Sequence, residues 1–163
     1  MSKYDPLDKA IITCLNRDAR MSSSHIAREL GVSERTVHNR IKRLIGSKAI
    51  QPVAVVNPAV FGYSIAVNVF CESELGHQAQ AIEALRDMPE ISYIAVSTGD
   101  HDIILQAFFK DSEAMHEFIT HKLHQVPGIQ RTRTQLIPHI IKDNFQWIPP
   151  EESFVRPVGD QPT

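Results

Sequence analysis

The sequence has few of the features that mark several large classes of protein. It contains two cysteines and one tryptophan in 163 residues. Cys14 and Cys71 each lie in an apolar pattern without metal-type spacing, so we expect buried, reduced thiols rather than a disulfide. No apolar run approaches the length of a membrane span, and the first residues lack the apolar core of a signal peptide. We therefore expect a globular, cytoplasmic protein with no membrane partner.

The net charge of -2 is small, but the charges are unevenly distributed. Residues 1–51 carry ten Lys and Arg against five Asp and Glu, whereas residues 52–163 carry seven against fourteen. A basic N-terminal third suits a polyanion such as double-stranded DNA, and an acidic remainder would repel one. Chance clustering of charges on a solvated face is the simpler alternative.

The first 50 residues predict three short helices. Asp5 and Pro6 supply an N-cap and a first-turn proline for the first helix, serines at 22–24 can cap the second, and Ser33 caps the third. Gly31 ends the second helix with a residue that tolerates a positive φ. Two helices joined by so short a turn predict a helix-turn-helix, whose second helix enters the major groove of DNA.

The third helix, in the stretch GVSERTVHNRIKRL, combines one apolar seam with a large basic surface. At about 100° per residue, Val37, Ile41 and Leu44 face inward and a polar face points away from them. Arginine can bond guanine bidentately and asparagine can bond adenine, which makes this face suitable for reading base edges. The candidate DNA-binding residues are Ser33, Arg35, Thr36, His38, Asn39, Arg40, Lys42 and Arg43.

These candidates differ in the role that we expect. Arg35, Thr36 and Asn39 are expected at base edges, whereas Lys42 and Arg43 lie later in the helix, where phosphate contact is expected. Arg40 lies nearer the apolar seam, and it could either bind phosphate or pair with an acidic residue inside the domain. An ordinary amphipathic surface helix is the alternative for the segment as a whole.

The second half of the chain alternates predicted strands and helices. SIAVNVFCE alternates like a strand, a helix with Ala79, Ile82, Leu85 and Met88 follows, and ISYIAVS and DIILQAFF form a hairpin around TGDH. A second helix begins at Asp111 or the next residue, and IQRTRTQLI is the last strand. The order β-α-β-β-α-β predicts a ferredoxin-like sheet with both helices on one face. Dimerisation through the sheets would cover the open face.

The run LDKAIITCLNRDARMSSSHIARELGVSERTVHNRIKRL resembles the N-terminal domain of the Lrp/AsnC, or feast/famine, family of bacterial and archaeal transcription regulators. AIQPVAVVNPAVFGY resembles the strand that links this domain to a ligand-sensing domain in the family. The resemblance implies an α+β chain, with an N-terminal winged helix-turn-helix DNA-binding domain at 1–50 and a linker strand at 51–63. A C-terminal ferredoxin-like βαββαβ ligand-sensing and dimerisation domain follows at 64–147. We expect the proline-rich residues 148–163 to be disordered or to form an arm on a neighbouring subunit.

The loop STGDHDII resembles the Gly-x-x-Asp hairpin of Lrp/AsnC sensing domains, matched here by Gly99 and Asp102. The resemblance implies binding of a free amino acid near this hairpin, at an interface between dimers. An α-amino acid needs an acceptor for its ammonium and donors for its carboxylate, and the loop offers both. The candidate effector-binding residues are Thr98, Gly99, Asp100, His101, Asp102, Thr132 and Thr134. Ordinary turn chemistry, in which the aspartates only cap the hairpin, is the alternative.

These features predict a sequence-specific DNA-binding transcriptional regulator that responds to an amino acid or a related small molecule. We expect a homodimer that assembles to an octamer or another higher oligomer, without a cofactor or a metal. His116, His121 and His124 lack the spacing of a helical metal site and are expected to be solvated. The alternatives are a nucleoid-type architectural protein that acts without an effector, and an enzyme resembling sirohaem decarboxylases, which would have no use for the exposed basic helix.

Overall fold

The computed structural model describes residues 4–142 and 147–154. The chain divides into two compact units, one formed by residues 1–54 with 141–163 and the other by residues 55–140. Within the described ranges, no helix combines the length and the hydropathy that a bilayer crossing requires.

The N-terminal unit is built on three helices, α1 Pro6–Arg17, α2 Ser23–Leu30 and α3 Glu34–Gly46. Each helix begins after a side-chain cap, because Asp5, Ser22 and Ser33 each accept a hydrogen bond from the backbone amide three residues later. Gly31 ends α2 with a φ of 67°, in the left-handed region that favours glycine. The predicted helix-turn-helix is confirmed.

The three helices bury one apolar cluster, and the seam predicted for α3 forms part of it. Val37 and Leu44 are fully buried and Ile41 packs against them. The other buried members are Ile11, Cys14, Ile26 and Ala27, contributed by α1 and α2. Because its core is small, the unit also depends on its helix caps and on the polar contacts between its helices.

Two local predictions for the junction of the units differ from the structure. No β-strand lies among the described residues of the N-terminal unit, so the wing implied by the resemblance is not formed within the single chain. Residues 51–57, where a linker strand is implied, carry no strand, and Pro58–Phe61 form a turn of 3-10 helix capped by the Asn57 side chain. A strand needs a neighbour for its amide and carbonyl groups, and no described strand of the same chain pairs with this segment.

The C-terminal segment also differs from its prediction. Glu151–Phe154 form a 3-10 turn that packs against α1, and the Phe154 side chain is only 5% exposed. Lys9 Nζ lies 3.7 Å from Glu151 Oε2. This part of the segment is therefore not disordered, because burial of a single aromatic side chain favours its ordering. The prediction for residues 155–163 lies outside the described residues.

The second unit contains a four-stranded antiparallel sheet. Its strands are β1 Ile65–Ser73, β2 Ile91–Val96, β3 Ile103–Phe109 and β4 Ile129–Leu136. Their order in the sheet is β2-β3-β1-β4. Helix α4, Gln78–Arg86, follows β1, and α5, Ser112–Glu117, follows β3 and continues through a π-helical turn, Phe118–Lys122, into a 3-10 turn, Leu123–Gln125. The βαββαβ order is confirmed.

The core of this unit lies between the sheet and its two helical segments. The residues that alternate on β1 and β3 face it, namely Val67, Val69, Cys71, Ile103, Leu105, Ala107 and Phe109. Burial raises the pKa of the Cys71 thiol to about 12, so this cysteine is buried and protonated at neutral pH. Ala79, which belongs to the apolar pattern that predicted this helix, is exposed. Ala81 is buried instead, because it precedes Leu85 by one helical turn of four residues on the same face.

Gly128, in the turn before β4, allows a stability prediction with a matched control. Its φ is +88°, and a Cβ at this position would lie 2.7 Å from His77 Cβ and 3.2 Å from His77 O. Gly76 has a φ of +84° but no atom within 4 Å of such a Cβ. Gly128→Ala should lower the free energy of unfolding by about 1–3 kcal/mol beyond the roughly 1 kcal/mol expected for Gly76→Ala.

Urea denaturation followed by circular dichroism measures both variants. Equal losses in the two would show that the close approach of His77 to Gly128 does not constrain this turn.

Candidate functional site

The outer face of α3 presents four polar side chains to solvent. Arg35, His38, Asn39 and Lys42 are all exposed, opposite the fully buried Val37 and Leu44. None of the four makes a hydrogen bond or an ion pair with another described residue. This set, the outer face of α3, is therefore available to an external partner.

The two hydroxyl residues at the start of α3 are engaged locally. Ser33 Oγ accepts the Thr36 amide at 3.1 Å and lies 2.7 Å from Thr36 Oγ1. Thr36 is half-buried, whereas Ser33 is exposed. Both side chains thus form the N-terminal cap of the helix, which fixes the position of its first turn.

Two of the predicted DNA-binding arginines are bound to carboxylates of the same unit. Arg40 Nη1 donates to Asp5 Oδ1 at 2.6 Å, and it also lies 3.1 Å from Asp8 Oδ1, off the alignment of a hydrogen bond. Arg43 Nη2 donates to Asp8 Oδ2, and its guanidinium lies 6.0 Å from the centroid of the Tyr4 ring. Of the two roles open to Arg40, the structure therefore shows the ion pair inside the domain. Arg43 also forms an ion pair inside the domain, although the sequence predicted only a phosphate contact for it.

Asp8 is a site residue that the sequence analysis missed. It is 0% exposed, and its carboxylate accepts the Asp5 amide at 3.0 Å while Asp5 accepts the Asp8 amide in return. This reciprocal capping box was visible in the sequence as Asp-Pro-Leu-Asp at a helix start. Burial raises the pKa of Asp5, but hydrogen bonds from Arg40 and the Asp8 amide outweigh it and leave this pKa below its ordinary value.

In the second unit, Asp102 is bound within the fold. Its Oδ2 accepts the Ser73 amide at 2.6 Å and the Ser73 hydroxyl at 3.0 Å, and its own amide donates to Cys71 O at 3.0 Å. The Ser73 amide, followed by the Ser73 hydroxyl, lowers the pKa of Asp102. The carboxylate thus fastens the start of β3 to the end of β1 rather than capping its own turn.

The rest of the hairpin divides between solvent and the sheet. Thr98, Gly99 and Asp100 are exposed, and Gly99 has a φ of +127° that favours glycine. The His101 ring instead packs on Phe70, with 5.1 Å between the ring centroids, and its buried Nδ1 has no hydrogen-bond partner among the described residues. The exposed tip, 98–100, is the part of the loop that can contact a ligand in solution.

Thr132 lies at the same end of the sheet as this hairpin. It pairs with Cys71, whose partner on the other side is Ile103 at the start of β3. Two strand spacings therefore separate Thr132 from the start of β3, or about 10 Å. Thr132 Oγ1 lies 2.8 Å from His124 Nε2, a contact that the prediction of a solvated His124 missed. Thr134 lies two residues further along β4, opposite Val69.

Comparisons with known proteins agree with both halves of this architecture. The model of the AsnC-type helix-turn-helix domain matches residues 5–45, and that of the Lrp/AsnC ligand binding domain matches residues 66–147. The chain belongs to the Lrp/AsnC family of transcriptional regulators. An HTH-type transcriptional regulator of Pyrococcus horikoshii is 34% identical over 141 residues, which cover 86% of this Lrp/AsnC chain and 89% of the relative.

Solved structures of Lrp/AsnC proteins share the fold. The structure of AsnC from E. coli has a TM-score of 0.81 at 22% identity, and covers 86% of this chain and 95% of its own. The complex of the regulator NMB0573 from Neisseria meningitidis with L-Met has a TM-score of 0.82 at 22% identity, with 86% and 94% covered.

The buried Asp8 of this Lrp/AsnC chain generates a stability prediction. Asp8→Asn keeps the size of the side chain and an oxygen that can accept the Asp5 amide, but it removes the negative charge that Arg40 and Arg43 face. Breaking a buried ion pair costs about 3–5 kcal/mol, and because Arg43 is 42% exposed and can regain water we expect a loss of about 1–3 kcal/mol in the free energy of unfolding.

Asp18→Asn is the matched control, since Asp18 pairs with Arg20, whose side chain is 93% exposed. Its free energy of unfolding, measured by the same denaturant titration, should hardly change. A loss in Asp8→Asn no larger than that in Asp18→Asn would contradict a stabilising role for the buried pair.

Proposed function

We propose that this Lrp/AsnC regulator reads double-stranded DNA with the outer face of α3 and that an amino acid modulates its binding. One observation carries the proposal: four polar side chains that can bind bases or phosphates are exposed together, without partners in the described chain, on the helix that follows the turn of a helix-turn-helix. Arg35 and Asn39 are suited to base edges, because their side chains can form paired hydrogen bonds with guanine and adenine.

The remaining candidates divide into contacting and positioning residues. Lys42 and His38 flank the base-reading pair and supply phosphate contacts, while the first turn capped by Ser33 and Thr36 can present backbone amides to a phosphate. Arg40 and Arg43 hold α3 against α1 through their carboxylate partners. Specificity for a DNA sequence then comes from few residues. Some of the basic side chains of α3 contact DNA, and the others stabilise the packing of α3 on α1.

The open face of the sheet supports a homodimer. Phe70, Ile104 and Phe108 lie on this face, only half-buried, and Tyr93 on the same face is 51% exposed. An apolar surface of this kind favours a second copy, and a two-fold dimer covers it with the same surface. Such a dimer carries two α3 helices, which suits a pseudo-palindromic site with half-sites about 34 Å apart. Assembly of dimers into an octamer or another higher oligomer extends the same proposal.

The exposed hairpin tip supports an amino-acid effector. Asp100 can accept an ammonium, and Thr98 with the amides around Gly99 can donate to a carboxylate. Thr132, oriented by His124, lies at the same end of the sheet. The L-Met in the complex of NMB0573 supports the class of ligand. A ligand held between dimers controls DNA binding only if it prefers one assembly over another.

DNA reading can be tested by fluorescence anisotropy with a labelled duplex from upstream of the regulator's own gene and with a scrambled duplex. Asn39→Ala should cost about 1–3 kcal/mol on the first duplex and little on the second. Lys42→Ala should weaken binding to both and reduce the salt slope by about one. Arg86→Ala, a charge-matched change on α4 of the other unit, should alter neither.

Each alternative function predicts a different outcome of this assay. Equal binding of both duplexes by the wild type, unaffected by any amino acid, would favour the architectural protein. No binding at low salt, together with a coloured tetrapyrrole retained on purification, would favour the enzyme.

The effector proposal is tested by isothermal titration calorimetry with each of the twenty amino acids. For the amino acid that binds, Asp100→Asn should lower the affinity by about tenfold or more, because a charge-assisted bond to the ammonium is lost. Asp87→Asn, an exposed carboxylate after α4, is the control and should leave the affinity unchanged. Equal affinities of these two variants, or no binding by any amino acid, would contradict the proposed site.

A further inference from the structure

A hollow in the 55–140 unit lies at the other end of the sheet from the hairpin. The hairpin precedes Ile103 at the start of β3, whereas this hollow adjoins Phe108–Lys110 at the other end of the strand. Its volume is about 230 Å³, below the roughly 300–1,000 Å³ of sites for drug-sized molecules, so it suits a smaller ligand. We call it the β3-end pocket.

The floor of the β3-end pocket is aromatic and buried. Phe109 and Phe118 are 3% and 2% exposed, and their ring centroids lie 5.2 Å apart. Ala114 of α5 lines the same floor. A short alkyl group placed here would leave water and contact the rings, which favours binding of an apolar moiety.

Glu90 gives the pocket a polar group with one unused oxygen. Its Oε1 lies 2.5 Å from Lys122 Nζ, while its Oε2 is buried and has no hydrogen-bond partner in the described parts of the chain. The Glu90 backbone is fixed as well, since its carbonyl accepts the Phe108 amide at 3.1 Å. Buried carboxylate oxygens are normally hydrogen-bonded, so a donor on a ligand would satisfy Oε2.

Charges of both signs stand around the pocket. Lys110 Nζ lies 5.6 Å from the centroid of the Tyr63 ring. The hydrogen bond to Glu90, followed by the charges of Glu90 and Glu117, raises the pKa of Lys122 and keeps it charged. Lys122 already pairs with one oxygen of Glu90, so the remaining lysine, Lys110, is available to an anionic group.

We propose that the β3-end pocket binds a small primary amine, with its ammonium at the Glu90 carboxylate and a short alkyl group over the floor formed by Phe109 and Phe118. The ammonium is the shared chemistry of two sources, a simple alkylamine and a free amino acid whose carboxylate reaches Lys110. The pocket is separate from the hairpin, and the proposal does not depend on DNA reading or on an effector at the hairpin.

The test is a titration of the isotope-labelled full chain with n-butylammonium chloride at constant ionic strength, followed by NMR. Saturable shifts are expected at Phe109, Ala114 and Phe118, and not with n-butanol, which has the same alkyl chain without the charge. Shifts at Gly99 and Thr132 report on the hairpin separately, so failure at one site is distinguished from failure at the other.

Two variants with opposite expected effects make the test independent of misfolding. Glu90→Gln should weaken n-butylammonium binding by about tenfold or more, since the charge-assisted bond is lost. Lys122→Gln should strengthen it, because the competing cation is removed from the same carboxylate. Glu83→Gln, an exposed carboxylate of α4, is the matched control and should change nothing. Absence of saturable shifts, or equal binding by Glu90→Gln and the wild type, would overturn the proposal.

Norvaline, which is n-butylamine with a carboxylate on the first carbon, separates the two sources. Tighter binding of norvaline that is lost in Lys110→Gln would support the proposal with an amino acid as the ligand. Equal binding of the two compounds would support it with the amine alone. No shift at Phe109 or Phe118 with either compound would overturn it.

Discussion

The buried carboxylate of Asp8 is the constraint on which the N-terminal unit depends. It closes the capping box of α1 and receives two arginines from α3, so one charged group joins the start of one helix to the middle of another. The N-terminal end of α1 also carries a partial positive charge that favours an anion there. Arg40 and Arg43 occupy the flank of α3 that faces α1, whereas Arg35 and Asn39 lie on its outer face, opposite the buried Val37 and Leu44.

This arrangement changes how the basic charge of the N-terminal third is understood. Counting residues suggests ten cations for a polyanion, but five cations among the described residues have carboxylate partners within the unit, namely Lys9, Arg17, Arg20, Arg40 and Arg43. The pairs on the buried Asp8 support the fold, and all five pairs reduce the field that DNA would meet. In the proposed function, recognition relies on hydrogen bonding by a few exposed side chains of α3, which favours sequence preference over purely electrostatic attachment.

The elements that sequence predicted correctly are those specified by local rules. These rules act through neighbours within a few positions, so a single sequence reveals them. Examples are the Ser33 cap, the helix end at Gly31 and the two-residue alternation of β1. The identities of side-chain partners that are distant in sequence were not predicted. Asp8 meets Arg43 across 35 positions and Asp102 meets Ser73 across 29, and no local pattern specifies such partners. The prediction of a linker strand was wrong for a related reason, since a strand depends on a pairing partner that the isolated chain does not supply.

We propose that α3 reads DNA with its outer face while Arg40 and Arg43 stay bound to Asp5 and Asp8. A crystal structure of the protein bound to a duplex from upstream of its own gene tests this most directly. We expect Asn39 within hydrogen-bond distance of a base edge in the major groove, with Arg43 still paired to Asp8. A complex in which Arg43 leaves Asp8 for a phosphate while Asn39 faces solvent would contradict it.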